Sequence, residues 1–360
     1  MKIALIAPLS FPINESFAGG LESFIFSLAT EQVKQGHEVT LFASANSNIP
    51  GVKLYPVSDQ GLLEQDDGSL KFATNAVYAN MAFTFKEMLK INFLCDQFDV
   101  IHFNSYNFLN LVMQSAQLSK KSVATFHLPV DASFIIHSKM ILESEIDNIN
   151  FVAISDFQKE RMQGVKVVKR IHNGIDLKSF ALNEKPTEKI GWLGRISPDK
   201  GIDLAIQMAI ENKWSLSFAG KQHYKIFFDE KIKPFISNNI EYLGEIFGKE
   251  KSDFYGSCAV FVAPIQWDEP FGLTIIEAMA CGTPVVAFKR GAMSELIVDG
   301  VTGYLVEPGD NVGFVEAVEK AKKLDRKKCR QHVENNFSIE KMVAEYLALY
   351  QTIIKENAQN

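Results

Sequence analysis

The feature that most constrains this chain is an alternation carried through twice: short apolar runs separated by helical patterns. The first series holds Ile3–Leu9, a helical pattern from about Leu21 to Gln35, Glu38–Ala43, Val100–Phe103, Ser122–Phe126 and Phe151–Ile154. Runs that are apolar on both faces suit strands buried in a parallel sheet, with helices as the crossovers. From about Val167 to Lys189 the chain turns polar, with Asn173-Gly174 and Pro186, which predicts a connection between domains. A second series follows in Ile190–Leu193, Ser215–Ala219, Ile240–Leu243, Ala259–Ala263 and Pro284–Phe288. A length of 360 residues suits two such cores, and two domains imply a cleft, a favoured place for ligands. From about Ser338, the residues Met342, Val343, Tyr346, Leu347, Leu349, Tyr350, Ile353 and Ile354 recur at helical spacing, predicting an amphipathic helix in search of a surface.

Composition removes several function classes. With 47% hydrophobic and 22% charged residues, the chain has no run of 18 uninterrupted apolar positions that would span a bilayer. Its opening apolar stretch ends quickly at Pro8 and Pro12, so it reads as a strand rather than a secretion signal, and a cytoplasmic location is expected. Cys95, Cys258, Cys281 and Cys329 lack metal-ligand spacing and fit a reducing compartment as free thiols. A formal charge of −6 offers no general attraction to nucleic acid, and Lys120-Lys121 and Arg326-Lys327-Lys328 read as solvated helix ends or faces. An anionic substrate must therefore be held locally, by a few placed residues.

The segment from Trp267 to Pro284 is the most informative. Pro270 suits a helix start and Gly282 with Pro284 a stop, predicting a short helix from about Phe271 to Cys281. Free N–H groups and the positive dipole end of such a helix can face a phosphate or sugar hydroxyls. Glu269 lies just before it, and Glu277 two turns along, where a carboxylate can accept both hydroxyls of a vicinal diol such as ribose. The alternative makes Glu269 a partner of the helix dipole and Glu277 a solvated face residue, although its neighbours Ile275, Ile276, Ala278, Met279 and Ala280 argue against solvation.

A second group, Gly191 to Gly201, joins a strand to the next helix, and the loop after a parallel strand's carboxyl end is where ligands bind. Arg195 offers a fork for phosphate oxygens and Lys200 a point charge, so the two together can neutralise a departing diphosphate without a metal. The alternative pairs Arg195 with a carboxylate and leaves Lys200 exposed. Gly19-Gly20 follows the first strand and permits close backbone approach to an anion, but the G-x-G-x-x-G pattern of a dinucleotide-binding oxidoreductase is missing. His127 ends its strand, where an imidazole can bond a substrate hydroxyl or serve as a structural residue; His37 and His102 read as structural.

Taken together, Gly19-Gly20, Gly36-His37-Glu38-Val39, Thr125-Phe126-His127, Ala153-Ile154-Ser155, Asn173-Gly174-Ile175-Asp176, Gly194-Arg195, Asp199-Lys200-Gly201 and the two glutamates with seven residues between them make the chain resemble the retaining glycosyltransferases of family 4. That resemblance implies an α/β GT-B fold: two Rossmann-like domains with parallel sheets facing a central cleft, the C-terminal helix crossing back to the first domain. Residues 1–170, completed by a helix at 341–360, would form the acceptor-side domain, and 171–340 the nucleotide-sugar donor domain. It further implies Arg195 and Lys200 on the diphosphate, Glu277 on ribose, and Glu269 with the backbone of Phe271, Gly272 and Leu273 on the donor sugar, Thr274 completing the donor-binding turn. Gly19 and Gly20 would approach the diphosphate and His127 would face the transferred sugar; His127, Arg195, Lys200 and Glu269 form the implied catalytic set. The chain departs from the family pattern at Leu128, Asn104 and His172, where an acidic residue, a second histidine and a proline are frequent, and at Asp199, where glutamate is commoner.

The expected reaction moves a hexosyl-type sugar, with retention, from a nucleotide-diphosphate sugar to an acceptor hydroxyl; a UDP-sugar is favoured and a GDP-sugar comes next. No cofactor or metal is expected, because the chain has no D-x-D triplet to bind a divalent ion. The acceptor class stays open among a sugar, a lipid-linked glycan and a small molecule. Some of the 28 phenylalanines would suit an apolar patch for a lipid-linked acceptor, with peripheral contact at the inner membrane face. Two rivals stand beside this reading. A GT-B epimerase would act on donor alone, and a non-catalytic nucleotide-sugar or carbohydrate-binding protein would release no free nucleotide.

Overall fold

The computed structural model describes residues 1–15, 19–59, 74–104, 114–130, 134 and 149–359. The chain divides into two units, 1–174 with 339–360, and 175–338. The expected strands form in both, so the paired α/β architecture is that of a GT-B protein.

The first unit is a seven-stranded sheet: β1 (Lys2–Ile6), β2 (Glu38–Ser44), β3 (Lys53–Ser58), β4 (Val100–Phe103), β5 (Ser122–Phe126), β6 (Asn150–Ala153) and β7 (Val167–Arg170). All neighbours pair parallel in the order β3-β2-β1-β4-β5-β6-β7. Strand β7 corrects the sequence reading, which took its residues as linker. The four are half-buried and end in Lys169-Arg170, as an outer strand with one open edge allows. The second unit has six strands, β8 (Ile190–Leu193), β9 (Leu216–Ala219), β10 (Ile240–Tyr242), β11 (Val260–Ala263), β12 (Val285–Phe288) and β13 (Gly303–Val306), in the order β10-β9-β8-β11-β12-β13. Each sheet therefore reverses its strand order once, at β1/β4 and at β8/β11, and the carboxyl ends of strands at such a reversal are where α/β sheets bind ligands.

Helix α1 (Gly20–Lys34) and the C-terminal helix, Ile339–Gln359, cover one face of the first sheet. Met342, Val343, Tyr346, Leu347, Leu349, Tyr350 and Ile353 of the latter are buried among Ile3, Leu5, Phe24 and Leu28, as its spacing predicts. A buried polar chain fastens it there. The Tyr350 hydroxyl lies 2.6 Å from His102 Nδ1, His102 Nε2 lies 2.7 Å from Thr125 Oγ1, and that oxygen lies 3.0 Å from the Tyr346 hydroxyl. A neutral imidazole supplies one donor and one acceptor, which matches two hydroxyl neighbours; burial and the nearby His127 hold His102 well below its ordinary pKa.

Two charged clusters are less solvated than the sequence suggested. Lys121 Nζ donates to the carbonyls of Cys95 and Phe98. Arg326 is 8% exposed and donates to four backbone carbonyls and one hydroxyl. The four cysteines are free and buried, and burial pushes the thiols of Cys258 and Cys329 up to about 12 and that of Cys281 to about 11, so they are unreactive at neutral pH. Among the described residues no helix is long and apolar enough to cross a membrane.

Candidate functional site

In the second unit, the two motif loops follow β8 and β11, neighbours at the reversal of the sheet. They touch backbone to backbone. Gly201 has φ +70°, and a Cβ there would stand 1.9 Å from the Pro264 carbonyl oxygen, so only glycine lets the loops approach this closely. The Gln266 N–H donates to the Asp199 carbonyl at 2.8 Å, and Trp192 Nε1 donates to the Lys200 carbonyl at 3.3 Å. The backbone carrying Lys200 is thus fixed from two sides.

Lys200 Nζ pairs with Glu269 Oε2 and lies 4.5 Å from the centre of the Trp267 ring; the indole N–H donates to the same carboxylate oxygen at 3.0 Å. With side-chain exposures of 21% and 14%, Lys200 and Glu269 are a partly desolvated pair, not the exposed lysine of the alternative reading. Arg195 behaves differently. It is 45% exposed and pairs with Asp199 at 2.9 Å, the carboxylate partner that the alternative foresaw. Although burial pushes the Asp199 carboxyl up, the Ser197 hydroxyl and Arg195 cation hold it below the usual range, so Asp199 stays ionised as the guanidinium's partner. An exposed pair of this kind contributes little, leaving Arg195 free to exchange Asp199 for a phosphate.

The helix after β11 spans Leu273–Ala280, two residues shorter at its start than expected. Gly272, at φ +110°, is the residue that turns the chain into it; Pro270 and Phe271 lie outside, so proline is not the first helical residue here. Gly272 has no side chain with which to cap the helix, so the backbone around Gly272, Leu273 and Thr274 is the part of this turn suited to an anion or hydroxyl. Further along, Glu277 is 4% exposed, and both of its oxygens are engaged: Lys251 Nζ lies 2.6 Å from Oε1 and the Tyr255 hydroxyl donates to Oε2 at 2.8 Å. A cavity of about 310 Å³ lined by Glu184, Pro284, Lys322 and Arg326 lies at the amino ends of β11 and β12, and none of the expected site residues lines it.

The remaining expected residues lie in the first unit. Gly19, extended at φ −167°, precedes α1, and Gly20 is its first residue. The carboxylate of Glu22, which the sequence reading passed over, folds back so that a Cβ at Gly19 would stand 3.0 Å from its Oε2; burial raises its pKa. Phe24, one turn on, meets the His127 ring edge-on at 4.5 Å. His127 Nε2 lies 3.2 Å from Asn104 Oδ1, and the Asn104 amide nitrogen donates to the His102 carbonyl. That orientation of the amide puts the proton on Nε2 and leaves Nδ1 of His127 an acceptor.

Burial depresses the His127 pKa from 6.5 to about 3, in the same direction as His102. Both imidazoles are therefore neutral when folded, while the unfolded chain takes up protons below about pH 6.5. Their stability contribution is complete above that pH and is lost as pH falls toward the folded values, by about 1.4 kcal/mol per pH unit for each histidine. Urea unfolding followed by far-UV circular dichroism between pH 7 and pH 5 should show stability falling with pH, and His127→Gln should lessen the slope by about 1.4 kcal/mol per pH unit below pH 6.5. A slope unchanged by the substitution would contradict the buried neutral state.

Lys251, Tyr255 and Trp267 were also missed. The first two stand four apart on the helix Gly248–Ser257, the spacing that places both on one face, and this was the available signal.

Both units resemble known proteins. The family model for Glycosyltransferase Family 4 matches residues 18–179, and that for Glycosyl transferases group 1 matches 175–338. The phosphatidyl-myo-inositol mannosyltransferase of Mycolicibacterium smegmatis is 29% identical over 88% of this chain and 84% of its own. A lipopolysaccharide core biosynthesis mannosyltransferase of Rhizobium leguminosarum is 30% identical over 52% of this chain and 60% of its own. Among solved structures, sucrose-phosphate synthase from Thermosynechococcus elongatus superposes with a TM-score of 0.78 at 21% identity, over 99% of each chain. Anabaena HepE in complex with UDP-glucose gives 0.72 at 19%, over 97% of this chain and 99% of that one.

Proposed function

Because the chain belongs to glycosyltransferase family 4, we propose that it moves a hexosyl residue from a nucleotide-diphosphate sugar to an acceptor hydroxyl, with retention at the anomeric carbon and without a metal. The observation that carries this reading is the partly desolvated Lys200–Glu269 pair, packed on Trp267 beside an uncapped helix start. Breaking the anomeric bond generates an oxocarbenium-like ring and a diphosphate, and preorganised charge aimed at both is the largest lever on such a step. Lys200 and Arg195 supply positive charge for the leaving group, the backbone from Phe271 to Thr274 supplies N–H groups, and Glu269 orients the sugar. Glu277 receives the ribose. In the first unit, Gly19 and Gly20 leave room for an anion near the backbone, and His127 accepts from a sugar hydroxyl through Nδ1.

A uridine donor is favoured, as in the UDP-glucose complex of HepE, and guanosine is next; the mannosyltransferases among the relatives support a hexose. The names of these relatives, a phosphatidyl-myo-inositol mannosyltransferase and a lipopolysaccharide core biosynthesis mannosyltransferase, support a lipid-linked or glycan acceptor, and we place the synthesis in the cytoplasm at the inner membrane face.

A screen of UDP, GDP and their hexoses in EDTA tests this. One diphosphate at about 100 times its Kd should add roughly 2.7 kcal/mol to the stability of the protein. Transfer from the matching α-linked donor should give an α-linked product in the same buffer. A β-linked product would remove retention, a strict need for divalent ions would remove the metal-independent reading, and an isomerised sugar from donor alone would favour an epimerase.

A further inference from the structure

The residues holding Glu277 suggest a role beyond packing. We infer that Tyr255 and Lys251 are positioning residues that fix the Glu277 carboxylate so that its outward lone pairs accept the two ribose hydroxyls of the donor. This rests on the assignment of Glu277 to ribose made above.

The helix Gly248–Ser257 lies against Leu273–Ala280, and Lys251 and Tyr255 reach Glu277 from the same side. Their contacts fall on different oxygens, one at 2.6 Å and one at 2.8 Å, so neither rotation nor tilt of the carboxylate is left open. A carboxylate has about four acceptor positions. Lys251 and Tyr255 fill two, and the two that have no partner among the described residues would serve a vicinal diol.

Tyr255 cannot move away. It is fully buried, its ring lies 5.3 Å from that of Phe261 and 6.5 Å from that of Phe180, and its carbonyl accepts from the Thr283 hydroxyl at 2.6 Å. Burial and the adjacent Glu277 charge push the phenol pKa well up, so it stays a donor at every working pH. Lys251 supplies the countercharge to this buried carboxylate. The surroundings are apolar: Ile275, Ile276, Ala278, Met279 and Ala280 are all buried. An ion pair and phenol in such a place are often no more stabilising than apolar residues of the same shape, which points to ligand recognition as their use.

The test compares Kd values for UDP and GDP with those of their 2′,3′-dideoxy counterparts, by calorimetry on the full chain. In the parent protein, removing both hydroxyls should weaken binding of the preferred diphosphate by roughly 100-fold, the scale for hydrogen bonds to a buried charge. With Tyr255→Phe or Lys251→Met the same removal should cost only about 3-fold to 10-fold, because the carboxylate is no longer aimed, and Lys251→Arg should recover part of the difference. A purely structural role would lower stability while leaving the ribose discrimination intact. Equal discrimination in the parent and both variants therefore overturns the positioning role and leaves the ribose assignment standing. Absence of discrimination in the parent overturns the ribose assignment, and the positioning role falls with it. Should Tyr255→Phe fail to fold, Lys251→Met carries the comparison, because Lys251 is 26% exposed.

Discussion

Replacing Lys200 with alanine is expected to lower kcat/KM for the nucleotide-sugar donor by roughly 100-fold or more, the scale for losing one preorganised charge stabiliser. The position of Lys200 is set before any ligand arrives. Its backbone is tied by Trp192 and by the Asp199–Gln266 hydrogen bond, and its ammonium group rests over Trp267 against Glu269. A diphosphate arriving there meets a cation already stripped of much of its water, so little reorganisation is needed as charge develops on the leaving oxygen. Arg195 is half exposed and must first leave Asp199, so Arg195→Ala should also be impaired, by a smaller factor than Lys200→Ala. Affinity for the nucleoside diphosphate should fall in Lys200→Ala, while affinity for the nucleoside monophosphate holds. Full turnover by Lys200→Ala would remove the role, and equal weakening of both nucleotides would move Lys200 away from the terminal phosphate. Lys200→Arg should restore activity only in part, because a guanidinium stacked on Trp267 and forked onto Glu269 spreads its charge over a longer side chain than the compact ammonium.

The parts of the fold that were legible are those in which local pattern and tertiary position coincide. Central strands such as Val100–Phe103 and Ile190–Leu193 are apolar on both faces because helices cover both, and their bounds agree with the sequence reading. The outer strands of the first sheet lack that signature. Lys53–Ser58 contains Pro56 and half-exposed residues, and Val167–Arg170 ends in two cations, so each resembles a connection. The site divides in the same way. Arg195, Lys200, Glu269 and Glu277 lie in loops and a short helix that follow two strands, and the rule for parallel sheets points to such loops without knowledge of packing. Lys251, Tyr255 and Trp267 acquire their roles only when one helix lies against another or one loop crosses another, and a single chain does not display that contact. Glu22 belongs with them, since its carboxylate is notable for its burial beside Gly19 and not for its spacing.

Arg326 is the opposite error, and it leads to the largest effect expected on stability. In sequence it stands in an Arg-Lys-Lys triplet and reads as surface; in the fold its guanidinium is buried and donates to the carbonyls of Asn183, Gly256, Cys258 and Cys281 and to Thr283 Oγ1. These acceptors come from the approach to β8, the approach to β11 and the end of the Leu273–Ala280 helix, so one side chain joins three segments of the second unit. No carboxylate offsets its charge in these contacts. The carbonyl dipoles do so instead, and methionine would take the guanidinium donor from the carbonyls of Asn183, Gly256 and Cys258, while that of Cys281 keeps the Asn183 N–H. Arg326→Met should therefore cost about 3–5 kcal/mol, the range for breaking a buried charged network, and lower the Tm of the second unit by roughly 10 °C. Trp192, Trp214 and Trp267 all lie in that unit, so tryptophan fluorescence reports its unfolding directly. Lys327→Met is the matched control: its pair with Glu184 is exposed on both sides, and the loss should stay under about 0.5 kcal/mol. Arg326→Lys should recover little, because three donors on one ammonium cannot reach acceptors spread around a planar fork. If Arg326→Met shifts the Tm no more than Lys327→Met does, then water satisfies those carbonyls as well as the guanidinium does, and the second unit is held by its apolar core alone.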